Sequence, residues 1–531
     1  MDMVPSVIEQ LWITALHTAL GQLSYMQHGV VSPLERETRR FIRQSHRLEE
    51  SPETYIQEAL YYGLLVGSTS VSVGLLFYPC SLCFERWGRR LVIFHLSSVL
   101  FLCAAFGQYA GVLCRSLWPM VLARCCLGAG YACSFFLANY VTPTVVSLCV
   151  EYSEYSIETS SAPQLLESRL LASVSAVGAP LYMALGSWVG SPAFLGTPQL
   201  WSYSFLVPVP GTLLYMLIGC WMPDSPKHLL QTRNDPEGAR QAALFYGVGS
   251  ADWPAIRAQY EEEELLAGKS TSVSTGVSPS VASLPKGAEY KWPLLATSLL
   301  SASVAFGEQS VAYSYAVEVL TSTDVVGNGS TGAEAALDHD TAARINCLFL
   351  QSGGVVLSVV SSLLVGRFGR RPLILASASL GEAGTGLLTL RHSLLVQLAP
   401  AEWLSTWSAA LGLLCSVGCM LLARAVVPLF LAEVTSQKAS SFVVLFYGGL
   451  YNLLSGVVSL VYPVAADLAP AGFHASMLLI STVCGLLLLA IIPESFGKSL
   501  TEVAALWPGS RSTERNSNCE AVDACVSSAE V

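Results

Sequence analysis

Glu308 stands inside an apolar run (292–316), and an ionisable group at that depth is expensive, about 2.5 to 3.5 kcal/mol on insertion scales. Such a residue handles substrate or protons by default; the structural alternatives are a pair with Arg424 or a place in an aqueous vestibule. His28, at the end of the first apolar run, titrates near neutrality and is the second candidate proton carrier. A different chemistry resides in Phe84-Glu85-Arg86-Trp87-Gly88-Arg89-Arg90 and its echo Gly366-Arg367-Phe368-Gly369-Arg370-Arg371. Each follows a mostly apolar run (59–83 and 346–365), so each sets three cations at a membrane surface. The glycine permits a tight turn, and the arginines reach lipid phosphates or neighbouring carboxylates. Two copies in the same place relative to an apolar run indicate internal duplication.

The composition demands a bilayer around these groups. Of 531 residues 52% are hydrophobic and 12% charged, and the mean hydropathy is +0.51. That excludes an ordinary globular domain and gives a polytopic membrane protein. The net charge of −10 argues against nucleic-acid binding. The 15 cysteines, Cys103, Cys125, Cys126, Cys133 and Cys415 among them, fall mainly in apolar runs and imply no disulfide framework. Cys80-x-x-Cys83 lacks a second ligand pair, so neither metal nor cofactor is expected. No nucleophile and base constellation stands outside the runs, so an enzyme is not expected. The N-terminus lacks a basic region followed by a cleavage site, and its first apolar run is expected to be retained.

Twelve spans are predicted: 6–28, 59–83, 91–113, 117–140, 170–190, 199–222, 292–316, 344–365, 372–390, 405–432, 440–463 and 472–492. They must be helices, because backbone groups in lipid need internal partners. The expected domains are an N-terminal six-helix bundle (1–226), a cytoplasmic linker (227–291), a C-terminal six-helix bundle (292–505) and a disordered cytoplasmic tail (506–531). Within the linker, Glu237 to Leu266 has helical amphipathic spacing, whereas 268–284 is small and polar. The arginine hinges with Lys227, Arg233, Arg240 and Lys438 put both termini in the cytoplasm. One loop disobeys: 31–58, external in this scheme, carries Arg36, Arg39, Arg40, Arg43 and Arg47, interleaved with glutamates. The sequon at Asn328 falls in an external loop and is a glycosylation candidate.

Pro223-Asp224-Ser225-Pro226-Lys227 after the sixth span and Pro493-Glu494-Ser495-Phe496-Gly497-Lys498 after the twelfth resemble the PESPRxL and PETKGRTLEE signatures of sugar porters. Ala123-Arg124 with Gly128 is similar to GRxxxG of the fourth span. Pro428-Leu429-Phe430-Leu431-Ala432-Glu433 is similar to the start of PWFxxAExxSQ in the tenth. With these motifs in order, residues 20–505 resemble the facilitative glucose-transporter family of the major facilitator superfamily. The resemblance implies a twelve-helix bundle in two pseudo-symmetric halves, with a substrate site between them that opens to each side in turn. It also implies cytoplasmic gating charges that hold the halves shut: Arg86, Arg89 and Arg90 with Asp224, and Arg367, Arg370 and Arg371 with Glu433 and Glu494. The chain departs where Asn139-Tyr140-Val141-Thr142-Pro143 replaces G-E-V-S-P and Gly366 replaces an acid. A cytoplasmic gate with fewer pairs should favour inward-facing states.

The pocket departs further. The family's QQLSGIN corresponds to Ser303-Val304-Ala305-Phe306-Gly307-Glu308-Gln309, its HQLG to Ser175-Ala176-Val177-Gly178, and its GPGPxPW to Ala423–Leu429, where the tryptophan is gone. Gly354 stands where an asparagine is common, one turn from Gln351; Asn452 is retained. Gln27, Gln309, Tyr313, Tyr315, Gln351 and Asn452 are the candidate substrate-binding residues. A millimolar ligand needs only about 4 kcal/mol, and each neutral hydrogen bond gives roughly 1.

In proton-linked members an aspartate of the first span faces the arginine of the fourth; here Gln27 faces Arg124. An amide exchanges no proton near neutral pH, which favours facilitated diffusion, with His28, Arg124, Glu308 and Arg424 as the coupling candidates. The implied function is carriage of a hexose or related sugar or polyol across a lipid bilayer, with a plasma-membrane location expected. The alternatives are a proton-coupled symporter of a different small polar or anionic solute, and a transport-silent nutrient sensor.

Overall fold

The computed structural model describes residues 15–48, 52–134, 177–245, 291–321, 333–365, 367–392, 402–434 and 437–495, with isolated positions between them. Asn328, the small polar part of the linker and the C-terminal tail lie outside the described residues. The described elements are helices. The first span is irregular, with a wide turn at His17–Gly21 and a tight one at Leu23–Tyr25 before the short helix α1 (Met26–Gly29). There follow α2 (Glu35–His46), α3 (Pro52–Trp87), α4 (Ser97–Leu113), α5 (Leu117–Tyr131), α6 (Val177–Val189) and α7 (Val209–Gly219). The linker contributes α8 (Pro226–Gln231) and α9 (Pro236–Phe245), and α9 buries Ala239, Ala242 and Ala243 on its apolar face. The later part comprises α10 (Lys291–Phe306), α11 (Gln309–Ser314), α12 (Ala316–Thr321), α13 (Ala333–Val365), α14 (Arg370–Leu390), α15 (Glu402–Val434), α16 (Gln437–Leu468) and α17 (Pro470–Ile491).

Among the described residues eight segments are long and apolar enough to cross a membrane, from Thr54–Cys83 to Pro470–Ile491. The other four predicted spans are only partly described, as at 6–28, 117–140 and 170–190, or are broken, as at 292–316. Leu75, Phe106, Leu122, Leu217, Leu363 and Leu486 point outward, as lipid-facing side chains do. Gln27, Gln108, Arg124, Glu308, Gln351 and His474 are buried instead.

The α3–α16 seam shows how small residues set distances. Without a hydrophobic drive between helices in lipid, close backbone approach supplies the packing energy. A Cβ added at Gly67 would lie 2.8 Å from the Gly456 carbonyl oxygen, and one at Gly74 would lie 2.7 Å from the Leu453 nitrogen. Glycine is required at both positions because the facing atoms belong to the backbone. A Cβ at Gly386 meets only a leucine methyl at 4.0 Å. Gly74→Val is therefore expected to destabilise by about 1–3 kcal/mol and Gly386→Ala to be neutral or slightly stabilising. Thermal unfolding of the two variants in the same detergent checks this.

Candidate functional site

The predicted seventh span is interrupted where its chemistry lies. Helix α10 stops at Phe306, Glu308 takes a left-handed backbone (φ 59°), and α11 restarts at Gln309. A left-handed non-glycine residue is uncommon and persists only when its surroundings hold it. Here His474 of α17 does so: its Nδ1 lies 2.9 and 2.8 Å from the two carboxylate oxygens of Glu308, and both side chains are 0% exposed. His392 stacks on His474 with centroids 5.1 Å apart, and Tyr462 flanks it at 6.2 Å. Glu308 thus pairs with His474, correcting the expected choice between Arg424 and a vestibule. Arg424 sits instead within electrostatic reach of Tyr313. The sequence signal for His474 was a histidine near the start of the last apolar run, with nothing to link it to residue 308.

The six candidate substrate residues divide into two groups. Gln27 accepts from Gln108 Nε2 at 3.0 Å, and it is its backbone carbonyl, not its amide, that accepts from Arg124 Nη1 at 3.1 Å. Gln309 donates to Ser455 at 3.2 Å, Asn452 donates to the Gly448 carbonyl of its own helix at 2.7 Å, and the Tyr315 hydroxyl donates to the Ser459 carbonyl at 2.5 Å. These four are engaged internally. Gln351 is 1% exposed, yet both atoms of its amide lack a hydrogen-bond partner among the described residues, as does the buried Tyr313 hydroxyl. Tyr313 faces the same helix: a Cβ at Gly354, one turn beyond Gln351, would lie 3.8 Å from its hydroxyl. His28 Nδ1 and Arg124 Nε are likewise buried without a partner among the described residues.

The hinges repeat one device. Asp224 Oδ1 accepts the backbone N–H groups of Arg89 (3.1 Å), Arg90 (3.2 Å) and Ser225 (2.8 Å). Glu494 accepts those of Arg370 (2.9 Å) and Arg371 (3.3 Å) at the start of α14. A Cβ on Gly88 (φ 88°) or Gly369 would collide with these carboxylates, which is why glycine precedes each arginine pair. The guanidinium groups turn to carbonyls: Arg90 to Met222 (3.2 Å), Arg370 to Val365 (2.8 Å) and Arg371 to Leu489 (2.8 Å). Arg86 and Arg367 are exposed, and the Glu433 side chain lies outside the described residues. The gating charges expected to join two halves here make these contacts within the early or the late part of the chain. The physical reason is that a carboxylate at a helix start answers several orphan N–H groups at once.

An all-α, multi-pass membrane protein with an interrupted helix beside buried polar residues is the class defined by this arrangement, and its fold is that of the major facilitator superfamily. A partially occluded inward-open structure of the xylose transporter from E. coli superposes with a TM-score of 0.65, covering 93% of this chain and 100% of that one at 17% identity. The proton:xylose symporter bound to 6-bromo-6-deoxy-D-glucose gives 0.63, covering 95% and 100% at 18% identity. The chain belongs to the sugar transporter family: the family model described as "Sugar (and other) transporter" matches residues 27–507. It is similar to the human facilitated glucose transporter member 9 (24% identical over 341 residues, 63% of this chain and 58% of that protein). The human member 7 is 25% identical over 323 residues, 59% of this chain and 57% of that protein. The mouse member 9 is matched over 46% of this chain and 40% of its own length, at 24% identity. The chain thus spans about half the length of the curated relatives it matches.

His474→Ala leaves Glu308 buried without its partner, and breaking such a pair costs about 3–5 kcal/mol. A lowered unfolding midpoint is expected, with recovery in the apolar pair Glu308→Met/His474→Phe; scanning fluorimetry in one detergent compares the three proteins.

Proposed function

We propose that the protein carries a small polar, sugar-like solute across a lipid bilayer by alternating access. Its twelve spans form two six-helix bundles, and the hinge face with both termini is cytoplasmic. Family membership and the names of its relatives support the substrate class; the distribution of arginines supports the orientation. The observation that carries the binding site is the pair of unanswered buried groups, the Gln351 amide and the Tyr313 hydroxyl. Buried polar atoms are nearly always hydrogen-bonded, and an amide beside a phenol matches hydroxyls that both donate and accept. Gln309 and Asn452, on the neighbouring helices, complete the site after a rotamer change.

Uptake of a radiolabelled panel of sugars and polyols in a host lacking hexose transport tests this reading. Gln351→Ala removes two hydrogen bonds of about 1 kcal/mol each and should weaken apparent affinity about ten- to thirtyfold. Asn452→Ala, whose amide nitrogen already has a partner, should cost less. Unchanged uptake by Gln351→Ala would remove the site, and no uptake of any panel member by the parent would remove the sugar reading.

A second reading, proton-coupled symport of a small polar or anionic solute, is favoured by the Glu308–His474 pair at the helix break. With Gln27 opposite Arg124 there is no acid in the first-span position, so the proton falls to Glu308. Accumulation driven by an inward pH gradient, abolished by an uncoupler and by Glu308→Gln, is the expected result. Transport indifferent to both treatments leaves passive carriage.

A further inference from the structure

In the segment that disobeyed the topology scheme, α2 turns Arg39 inward while Arg36, Arg40, Arg43 and Arg47 are exposed. Arg39, largely buried, donates from Nε to Glu35 at 2.8 Å and from Nη2 to Glu318 of α12 at 2.9 Å. Its guanidinium lies 4.8 Å from the centroid of the Tyr62 ring. Beside it the Val317 N–H donates to Ser32 Oγ at 3.1 Å, and Arg344 of α13 donates to the Pro33 carbonyl at 2.7 Å and stands 3.5 Å from Glu37. The Tyr55 hydroxyl reaches Asp467, at the end of α16, at 3.5 Å. Apart from the Glu35 and Tyr62 contacts, each of these joins the first sixty-odd residues to the later part of the chain. The cluster lies at the far end of the helices from the hinges: Arg344 is about 30 Å along α13 from Val365, at about 1.5 Å per residue.

We infer that this cluster is an ion-pair lock that shuts the carrier on the face opposite the hinges, with Arg39 as its clamp, and that opening there requires Arg39 to leave Glu318. The inference rests on the alternating-access reading above. A topology anchor would keep its charges in water, whereas Arg39, Glu318 and Arg344 are largely buried, and Arg39 and Glu318 bridge segments nearly 280 positions apart. Arg43 and Glu58, paired at 2.7 Å, fasten α2 to α3, so the clamp is carried by a braced helix.

Carboxylates crowd the cluster. Burial, reinforced by Glu35, drives the Glu318 carboxyl well above the usual carboxylate range. Burial also raises Glu35, against the opposing pull of Arg39 and Arg344. Asp467 faces Glu318 as well. On opening, these carboxyls hydrate and return toward ordinary values. A group raised in the closed form stabilises that form fully below its open-state value and stops doing so as pH rises through the raised value. Glu35 and Glu318 face each other closely enough to share one proton, the other carboxyl keeping the charge that Arg39 clamps, so acid favours closure.

Double electron–electron resonance between spin-labelled unnatural amino acids at Gln44 and Leu468, both exposed, reads the mouth directly. The parent should give a narrow, short distance distribution whose longer component grows with pH; a component that shrinks overturns the shared-proton account. Glu318→Arg sets two cations face to face and should add a longer distance, and Arg39→Glu/Glu318→Arg should return the narrow one. A Glu318→Arg distribution matching the parent's, or a swapped pair as wide as Glu318→Arg, overturns the lock. Should Glu318→Arg fail to fold, Arg39→Gln carries the same test. Parallel uptake separates the two readings: a parent that moves no solute while the variants widen the mouth removes the carrier and keeps the lock, and the reverse pattern keeps the carrier alone.

Discussion

The bilayer interior offers no hydrogen bonds, and that single constraint sorts the polar side chains of this protein. Several hydroxyls among the described residues are answered within one turn of their own helix. Thr297 donates to the Pro293 carbonyl at 2.6 Å, Ser301 to Thr297 at 2.9 Å, Thr385 to Gly381 at 2.8 Å and Ser362 to Ser358 at 3.0 Å. Such hydroxyls fill space without asking anything of a neighbour. A glutamine can do the same with one atom, as Gln108 does toward the Ala104 carbonyl at 3.1 Å, but its other polar atom then needs a partner elsewhere. Glu308 reaches across to His474, Gln309 to Ser455, and Gln351 reaches nothing among the described residues.

The same constraint explains the repeated hinge. Where a span ends and another begins, helix-start N–H groups face the lipid headgroup region without intrahelical partners. One carboxylate from four helices onward answers a pair of them: Asp224 for Arg89 and Arg90, Glu494 for Arg370 and Arg371. The basic side chains are then free to reach carbonyls at the ends of neighbouring helices, where the helix dipole favours a cation. Conserving this geometry takes a glycine beneath each carboxylate, so a four-element pattern recurs rather than a mere density of charge.

How far the chain could be read as a string depended on the range of the interaction. Hydropathy runs and the hinge repeat are local in sequence, and the helices and carboxylate–hinge neighbours follow them. The broken helix was not legible: residues 292–316 read as one apolar run because Gly307 and Glu308 disturb hydropathy little, while the left-handed backbone at Glu308 depends on His474, 166 positions away. The basic loop was misleading for a related reason. Arg39 counted as a surface charge by composition, and only the fold buries it against Glu318. Pocket residues were legible as types and not as states, since nothing in the order of letters distinguishes Asn452, bonded to its own helix, from Gln351.

The two ends of the bundle are wired differently, and on the alternating-access reading that difference sets the resting state. At the hinge face the described carboxylate contacts stay within the early or within the late part of the chain. At the opposite face Arg39, Arg344, Ser32 and Tyr55 tie the early part to the late one. The glycine seam of α3 and α16 continues that tie into the membrane through Gly63, Gly67 and Gly74. A rocking carrier exchanges one set of cross-contacts for the other, so its equilibrium is the difference between two gates rather than the strength of either. Where family members place acids at the hinges, this chain has Asn139 and Gly366. Fewer partners on one side and a buried clamp on the other act in the same direction, toward a carrier that rests open at its hinges.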